Sequence, residues 1–242
     1  MGSGSCTVIL PVYKEAENIG KMVTCLRELY PDFKILVMDD NSKDGSKEII
    51  ESMKDPAVRF VERDPSEKGL SASILQGITE TDTDYFVNMD CDFQHPPETV
   101  GLIYECLNSG ADFCIGVRKE RSALSPFRLL ASWFAHFFAA MTLWLRNKPL
   151  SKDIMSGFFG GNTKLCRRII KENRDRMDSK GFKALFDLLK YCPEDADVRE
   201  VEFEFGKRAA GESKLSPMII VSVMKQCEPF GKTIARIAEK FV

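Results

Sequence analysis

The amino-acid sequence predicts an α/β protein: a mainly parallel sheet flanked by helices, with amphipathic helices toward the C-terminal end. Three observations predict it. Short apolar or β-branched runs alternate with stretches of helical periodicity through the first half. Polar clusters follow the apolar runs, where the strands of such a sheet would end on one edge. The 242 residues, 44% hydrophobic and 29% charged, suffice for one large core. A single domain over residues 6–242 is expected.

The elements follow in order. Cys6 to Val12 reads as a strand and Glu15 to Tyr30 as an amphipathic helix. Lys34 to Met38 is a second strand, Ser46 to Met53 a second helix, Val58 to Val61 a third strand and Leu70 to Ile78 a third helix. A buried strand begins at Tyr85, a helix spans Pro97 to Asn108, and Asp112 to Gly116 is the next strand. The second half is less regular. A long apolar helix, Leu129 to Leu145, is followed by a polar stretch from Asp153 to Gly161, two helices, a strand from Val198 to Phe205 and a loop ending in Gly211-Glu212-Ser213-Lys214-Leu215. Pro217 to Val242 reads as helical, broken near Pro229, with Lys and Arg among apolar residues.

Composition excludes several classes. A formal net charge of −2 leaves no cationic excess for a nucleic-acid backbone. Eight cysteines form no C-x-x-C pair, and several lie in apolar runs, as reduced core thiols do. With only His95 and His136 to join them, zinc-ligand spacing is missing. No G-x-G-x-x-G follows the first strand and no glycine-lysine phosphate loop occurs, which disfavours dinucleotide enzymes and P-loop kinases. Met1-Gly2-Ser3-Gly4-Ser5 reads as a flexible leader left from cloning, and no signal peptide is seen. Residues 126–147 leave three readings open: a core helix, an interfacial helix with Arg128 at one end and Arg146 and Lys148 at the other, or a short membrane span. Residues 217–242 are a second candidate for the membrane interface.

The most informative stretch is Asp90-Cys91-Asp92-Phe93-Gln94, just past the apolar run Tyr85 to Met89. Two carboxylates and an amide oxygen at alternate positions suit Mg²⁺ or Mn²⁺, hard cations often shared with substrate phosphates. The competing reading is an acidic turn that caps the next helix. Asp39-Asp40-Asn41-Ser42-Lys43-Asp44-Gly45 ends the second strand. Turn chemistry accounts for most of it, while Asp40 is placed to accept from a base or ribose. Glu15 is a second such candidate. Arg118, Arg128, Arg208 and Lys214 suit an anionic acceptor beside the acidic site, and Asp153 offers another carboxylate near the sugar. Taken singly, each basic residue reads first as a solvated surface charge; the acidic site beside them favours the anionic-acceptor pocket. His95 precedes two prolines and His136 lies in the apolar helix, so neither reads as a general base. Few bases beside several arginines favour a phosphate acceptor, which needs positioning rather than deprotonation, while Asp153 leaves a hydroxyl acceptor open.

Eight ordered segments then converge: LPVYKEAENI, DDNSKDGS, EKGLSASILQG, DCDFQHPPE, IGVRK, KDIMSGFF, GFKALFDLL and EFGKRAAGESKL. Together they resemble the polyprenyl-phosphate sugar synthases of glycosyltransferase family two, especially its dolichol-phosphate mannose synthases. The resemblance implies a GT-A (Rossmann-like) fold, inversion at the sugar, and transfer of mannose from GDP-mannose to dolichyl (polyprenyl) phosphate with Mg²⁺ or Mn²⁺. It implies nucleotide-sugar contacts at Pro11, Tyr13, Glu15, Met38, Asp40, Lys68, Asp90, Lys214 and the backbone of Cys91. Metal ligands would be Asp90, Asp92 and Gln94. Asp92, Arg118, Arg128, Arg208 and Asp153 would carry the reaction. Lys14 stands where the family usually has asparagine, and Cys91 where it has alanine. The expected location is peripheral, on the cytosolic face of a membrane, alone or beside a membrane-spanning domain or subunit. Three alternatives remain: a glucosyltransferase using UDP-glucose, a non-catalytic membrane-associated binding subunit, and a nucleotidyltransferase.

Overall fold

The computed structural model describes residues 5–119, 126–177 and 183–206, with backbone alone for residues 126–135. Seven strands form one sheet: β1 (Cys6–Val12), β2 (Lys34–Asp39), β3 (Val58–Glu62), β4 (Tyr85–Asn88), β5 (Phe113–Arg118), β6 (Phe159–Asn162) and β7 (Val198–Phe203). Their spatial order is β3-β2-β1-β4-β6-β5-β7. The helices are α1 (Ala16–Leu29), α2 (Ser46–Ser52), α3 (Leu70–Glu80), α4 (Thr99–Asn108), α5 (Pro126–Leu145), α6 (Thr163–Asn173) and α7 (Ala184–Tyr191).

Strands β1, β2, β4 and β5 are buried on both faces, as strands covered by crossover helices must be. Cys6, Val8, Leu10 and Val12 of β1 pack with Ile19, Met22 and Leu26 of α1 and with Val100 and Ile103 of α4. Ile9 faces the opposite layer, with Leu75 and Ile78 of α3 and Leu185 of α7. α3 lies so close to β1 that a Cβ at Gly77 would sit 2.7 Å from Ile9 Cγ2.

β1 pairs in parallel with β2 and β4, β2 with β3, and β5 with β7. β6 is the exception, antiparallel to both β4 and β5. Its sequence, Phe-Gly-Gly-Asn, shows neither alternation nor β-branching, and so does not read as a strand. Tertiary crowding explains the glycines: a Cβ on Gly160 would meet Phe86 O at 2.7 Å and Leu107 Cδ1 at 2.8 Å. Because β6 runs backwards, Phe159 opens it opposite Asn88 at the end of β4. The stretch Asp153–Phe158 therefore reaches the same rim as the carboxyl ends of the parallel strands. The direction of strand addition reverses between β1 and β4, the usual place for a ligand crevice.

Several element boundaries differ from expectation by one to three residues. α4 begins at Thr99, because Pro96 and Pro97 form the preceding turn, whose carbonyls accept from Thr99 and Val100. β5 extends to Arg118, and β7 stops at Phe203. α5 packs on α7, with Ala139, Thr142 and Leu143 buried and Phe137, Trp144 and Leu145 exposed. Among the described residues no helix is long and apolar enough to cross a membrane. The candidate interfacial stretch 217–242 lies outside the described residues.

Candidate active site

The rim divides at β1 and β4. On one side the ends of β1, β2 and β3 form a closely bonded platform. Pro11 and Met38 are register partners and both are buried, so they make its floor. Asp39 is 3% exposed and accepts from both the amide and the hydroxyl of Ser42. The same hydroxyl accepts from the Lys14 amide at 2.8 Å, which ties the β1 loop to the β2 loop. Asp44 accepts from the amides of Ala16 and Ser46. Burial alone would raise its pKa, but these hydrogen bonds and that of the Ser46 hydroxyl outweigh it and hold the carboxyl below the ordinary value. Turn and cap chemistry thus accounts for Ser42 to Gly45.

Asp40, the next residue after β2, is held differently. Its Oδ2 accepts from the Gly69 amide at 3.0 Å, and its Oδ1 is paired with Arg63 Nη1. Lys68, adjoining Gly69, brings its ammonium 5.4 Å from the centre of the Tyr13 ring, which is 39% exposed. Glu15 precedes α1 and accepts from Asn18 Nδ2 at 2.9 Å.

On the other side, β4 delivers the acidic loop. The Asp90 amide donates to His95 Nδ1 at 3.0 Å. That bond makes Nδ1 the acceptor and puts the ring proton on Nε2. Burial, reinforced by the nearby Arg118 charge, lowers the His95 pKa to about 3. The ring stacks on Phe158 at 4.8 Å and meets Phe203 edge-on at 5.7 Å. His95 is therefore a neutral strut beneath the acidic loop, in agreement with its exclusion as a general base. Cys91 is buried, and its thiol pKa is pushed up by burial and by the charges of Glu15, Asp90 and Asp92.

Asp92 is 4% exposed and its Oδ1 accepts from the Gln94 amide at 3.0 Å, whereas the Asp90 side chain is 44% exposed. The loop before β6 closes on them. Asn88 Nδ2 donates to Gly157 O at 2.7 Å, and a Cβ at Gly157 would lie 3.8 Å from Asp90 Oδ2. Asp153 begins this loop and is largely buried. Lys183 donates to Met155 O at 2.8 Å. Burial lowers its pKa, against the opposing pull of the Asp153 carboxylate.

The stretch after β7 completes the wall. Gly206 donates to Gln94 O at 3.0 Å, and a Cβ there would fall 2.5 Å from Phe93 O, so the contact requires glycine. The Arg118 guanidinium carbon lies 4.1 Å from the Phe205 ring centre. Its Nε is buried and without a hydrogen-bond partner among the described residues. A buried, unsatisfied cationic donor is costly unless an anion completes it. Strain concentrates at this rim too: Lys14, Asn41, Lys43 and Phe93 all adopt left-handed backbone.

Among the described residues no three His, Cys, Asp or Glu side chains gather closely enough to cage a metal by themselves. The accessible Asp90 and recessed Asp92 carboxylates, with the Gln94 amide oxygen, nevertheless make a hard-oxygen donor set. That set fits Mg²⁺ or Mn²⁺ held by one or two carboxylates together with substrate phosphate.

The predicted residues Pro11, Tyr13, Glu15, Met38, Asp40, Lys68, Asp90, Cys91, Asp92, Gln94, Arg118 and Asp153 thus occupy one rim. Arg128 lies in α5 with its side chain outside the described part, and Arg208 and Lys214 fall outside the described residues. Sequence reasoning missed Arg63 and Lys183. Arg63 follows β3 as Asp40 follows β2, so the rim rule applied to the third strand would have found it. Lys183 sits in the quoted segment GFKALFDLL, but nothing in its spacing reveals that it reaches Met155.

Known proteins resemble this chain. The profile of the family described as glycosyl transferase family 2 matches residues 7–173. The chain is 35% identical over 236 residues to dolichol-phosphate mannosyltransferase of Saccharomyces cerevisiae, covering 91% of this chain and 84% of the yeast protein. It is 31% identical to the protein of the same name from Mycosarcoma maydis, covering 92% and 77%. Among solved structures, glucosyl-3-phosphoglycerate synthase from Mycobacterium tuberculosis, in complex with Mn²⁺, UDP-glucose and glycerol 3-phosphate, aligns with a TM-score of 0.58 at 17% identity. That alignment covers 93% of this chain and 80% of the other, and the likeness is one of fold.

Proposed function

Because the chain belongs to glycosyl transferase family 2 and is a glycosyltransferase, we propose that it moves mannose from GDP-mannose to the phosphate of a dolichyl or other polyprenyl lipid, with inversion. The observation that carries this is the meeting, at one rim, of an acidic loop fit for a diphosphate-bound cation and an arginine whose buried Nε has no hydrogen-bond partner among the described residues. The names of the two relatives support mannose as the sugar and a polyprenyl phosphate as the acceptor.

Each part of the rim has work in this reaction. Tyr13, Glu15, Asp40 and Lys68 hold the nucleoside above the floor of Pro11 and Met38, and Lys214 joins them at the sugar nucleotide. Asp90, Asp92 and Gln94 would hold Mg²⁺ or Mn²⁺, with the Cys91 backbone beside the diphosphate. A bound divalent cation supplies Lewis-acid stabilisation of the departing nucleoside diphosphate. Arg118, with Arg128 and Arg208, neutralises the acceptor phosphate and aims one oxygen at the anomeric carbon, opposite the leaving group. That oxygen is already anionic, so positioning and charge, rather than a general base, carry the rate. Asp153 contacts the sugar. The exposed Phe137, Trp144 and Leu145 of α5, with residues 217–242, rest against the cytosolic face of the membrane that holds the lipid. Residues 6–242 act as one domain.

The test is an assay with radiolabelled GDP-mannose and vesicles containing dolichyl phosphate. A mannose-labelled lipid should appear, vanish with EDTA and return with Mn²⁺. Thermal melting with Mn²⁺ and GDP, UDP or dTDP should show the largest stabilisation with GDP. Labelled lipid formed from UDP-glucose but not GDP-mannose would overturn the donor assignment.

A further inference from the structure

Arg63 is 2% exposed, yet it carries a full charge that no solvent reaches. All three nitrogens of its fork are engaged. Nε donates to Gln76 Oε1 at 2.9 Å, Nη2 to Glu67 O at 2.9 Å, and Nη1 pairs with Asp40 Oδ1. Its own amide donates to Asp39 O at 2.8 Å. One side chain therefore joins three elements: the end of β2, the turn carrying Lys68, and α3.

Asp40 and Lys68 come from different loops, and Arg63 fixes them relative to each other. Asp40 Oδ2 takes the Gly69 amide while Oδ1 takes Arg63. The carboxylate is thereby locked in rotation, with one acceptor site per oxygen still available. A carboxylate that must recognise N–H or O–H groups of a nucleoside gains most from such locking, since the ordering is done before the ligand arrives. A planar guanidinium achieves this with three separate bonds, which an ammonium on a flexible stem does not reproduce.

We propose that Arg63 is a positioning residue of the nucleotide subsite, holding the Asp40 carboxylate and the Lys68 turn in the geometry that binds the nucleoside diphosphate. This rests on the assignment of that half of the rim to the donor. It adds a residue that touches no substrate and acts through two that do.

The experiment is calorimetric titration of GDP in Mn²⁺ together with donor kinetics, on the wild type, Arg63→Lys and Gln76→Leu. Arg63→Lys keeps the charge and loses the fork. It should weaken GDP about tenfold and raise KM for the sugar nucleotide by a similar factor, with kcat at saturating donor within about threefold of the wild type. Gln76→Leu removes only the Nε partner and leaves the contacts to Asp40 and Glu67 in place. It should weaken GDP about two- to threefold, and it keeps the test open if Arg63→Lys fails to fold. In an Asp40→Ala background, Arg63→Lys should cost much less than in the wild type, because the two act as one unit. Unchanged GDP affinity in folded Arg63→Lys, or equal losses in both backgrounds, would overturn the inference while leaving the donor site intact. A wild type that takes up no nucleoside diphosphate would overturn the donor assignment, and this inference with it.

Discussion

The two halves of the rim differ in how completely they satisfy themselves. Around β1, β2 and β3, Asp39, Asp40 and Asp44 each have hydrogen-bond partners within the protein, and Arg63 donates from all three guanidinium nitrogens. Around β4, β5 and β7, the backbone is equally well tied, through His95, Gly157 and Gly206. The Arg118 side chain is not. Asp90 is 44% exposed, and the buried Nε of Arg118 lacks a partner among the described residues. A surface that recognises one nucleoside benefits from being rigid and internally complete. A surface that handles charge moving between two phosphates benefits from an arginine held in place with a donor still to be matched, since the substrate then supplies its partner.

The contrast breaks most severely at Asp92. Asp92→Asn keeps the shape and the oxygen that accepts from Gln94, and removes only charge. On the proposed mechanism, several kcal/mol of transition-state stabilisation is lost, so turnover should fall about a thousandfold. The melting temperature in EDTA should stay near that of the wild type. Initial rates of lipid product at saturating donor check this, and near-normal turnover would show that the acidic loop is only a structural turn.

A smaller effect sharpens the comparison at His95. Its folded pKa of about 3 lies below the unfolded value near 6.5, so between these pH values the unfolded chain binds more protons. The neutral ring's contribution is complete above about pH 6.5 and is lost as pH falls toward 3. Wild type in EDTA should lose about 2 kcal/mol of unfolding free energy between pH 7 and pH 5 from this residue. Urea titrations measure it, and His95→Gln should flatten the dependence. An equal slope in the variant would place the titrating group elsewhere.

The smallest effect tests the platform. Ser42→Ala removes the hydroxyl that bridges the Lys14 amide and Asp39. It should lower stability by about 1 kcal/mol in urea, with GDP affinity changed less than about threefold, because Arg63 and Gly69 still hold Asp40. A large loss of GDP affinity would show that the β1 and β2 loops position the nucleoside more than the Arg63 network does.

Much of this molecule was legible from local pattern. Period-two and helical periodicities placed six of the seven strands and the helices between them, because burial of one face dictates where apolar residues fall. The rule that ligands gather at carboxyl strand ends places Asp40, Lys68 and Asp90 to Gln94 on one edge from the sequence alone. The ordered motifs identified the family. β6 escaped because its glycines answer to Phe86 and Leu107, residues distant in sequence. Arg63 and Lys183 escaped because a long basic side chain reads as surface until packing shows where its end lies.

The sequence by itself determined the element types, the polar rim and the chemical kinds of side chain on it, since those follow from short-range periodicity and residue chemistry. Only the tertiary structure decided that His95 supports Asp90 as a neutral ring, that Gly206 seals the loop at Phe93, and that Arg63 locks Asp40. Those depend on distances between residues far apart in the chain, which are set when the two layers pack against the sheet and the loops meet above it.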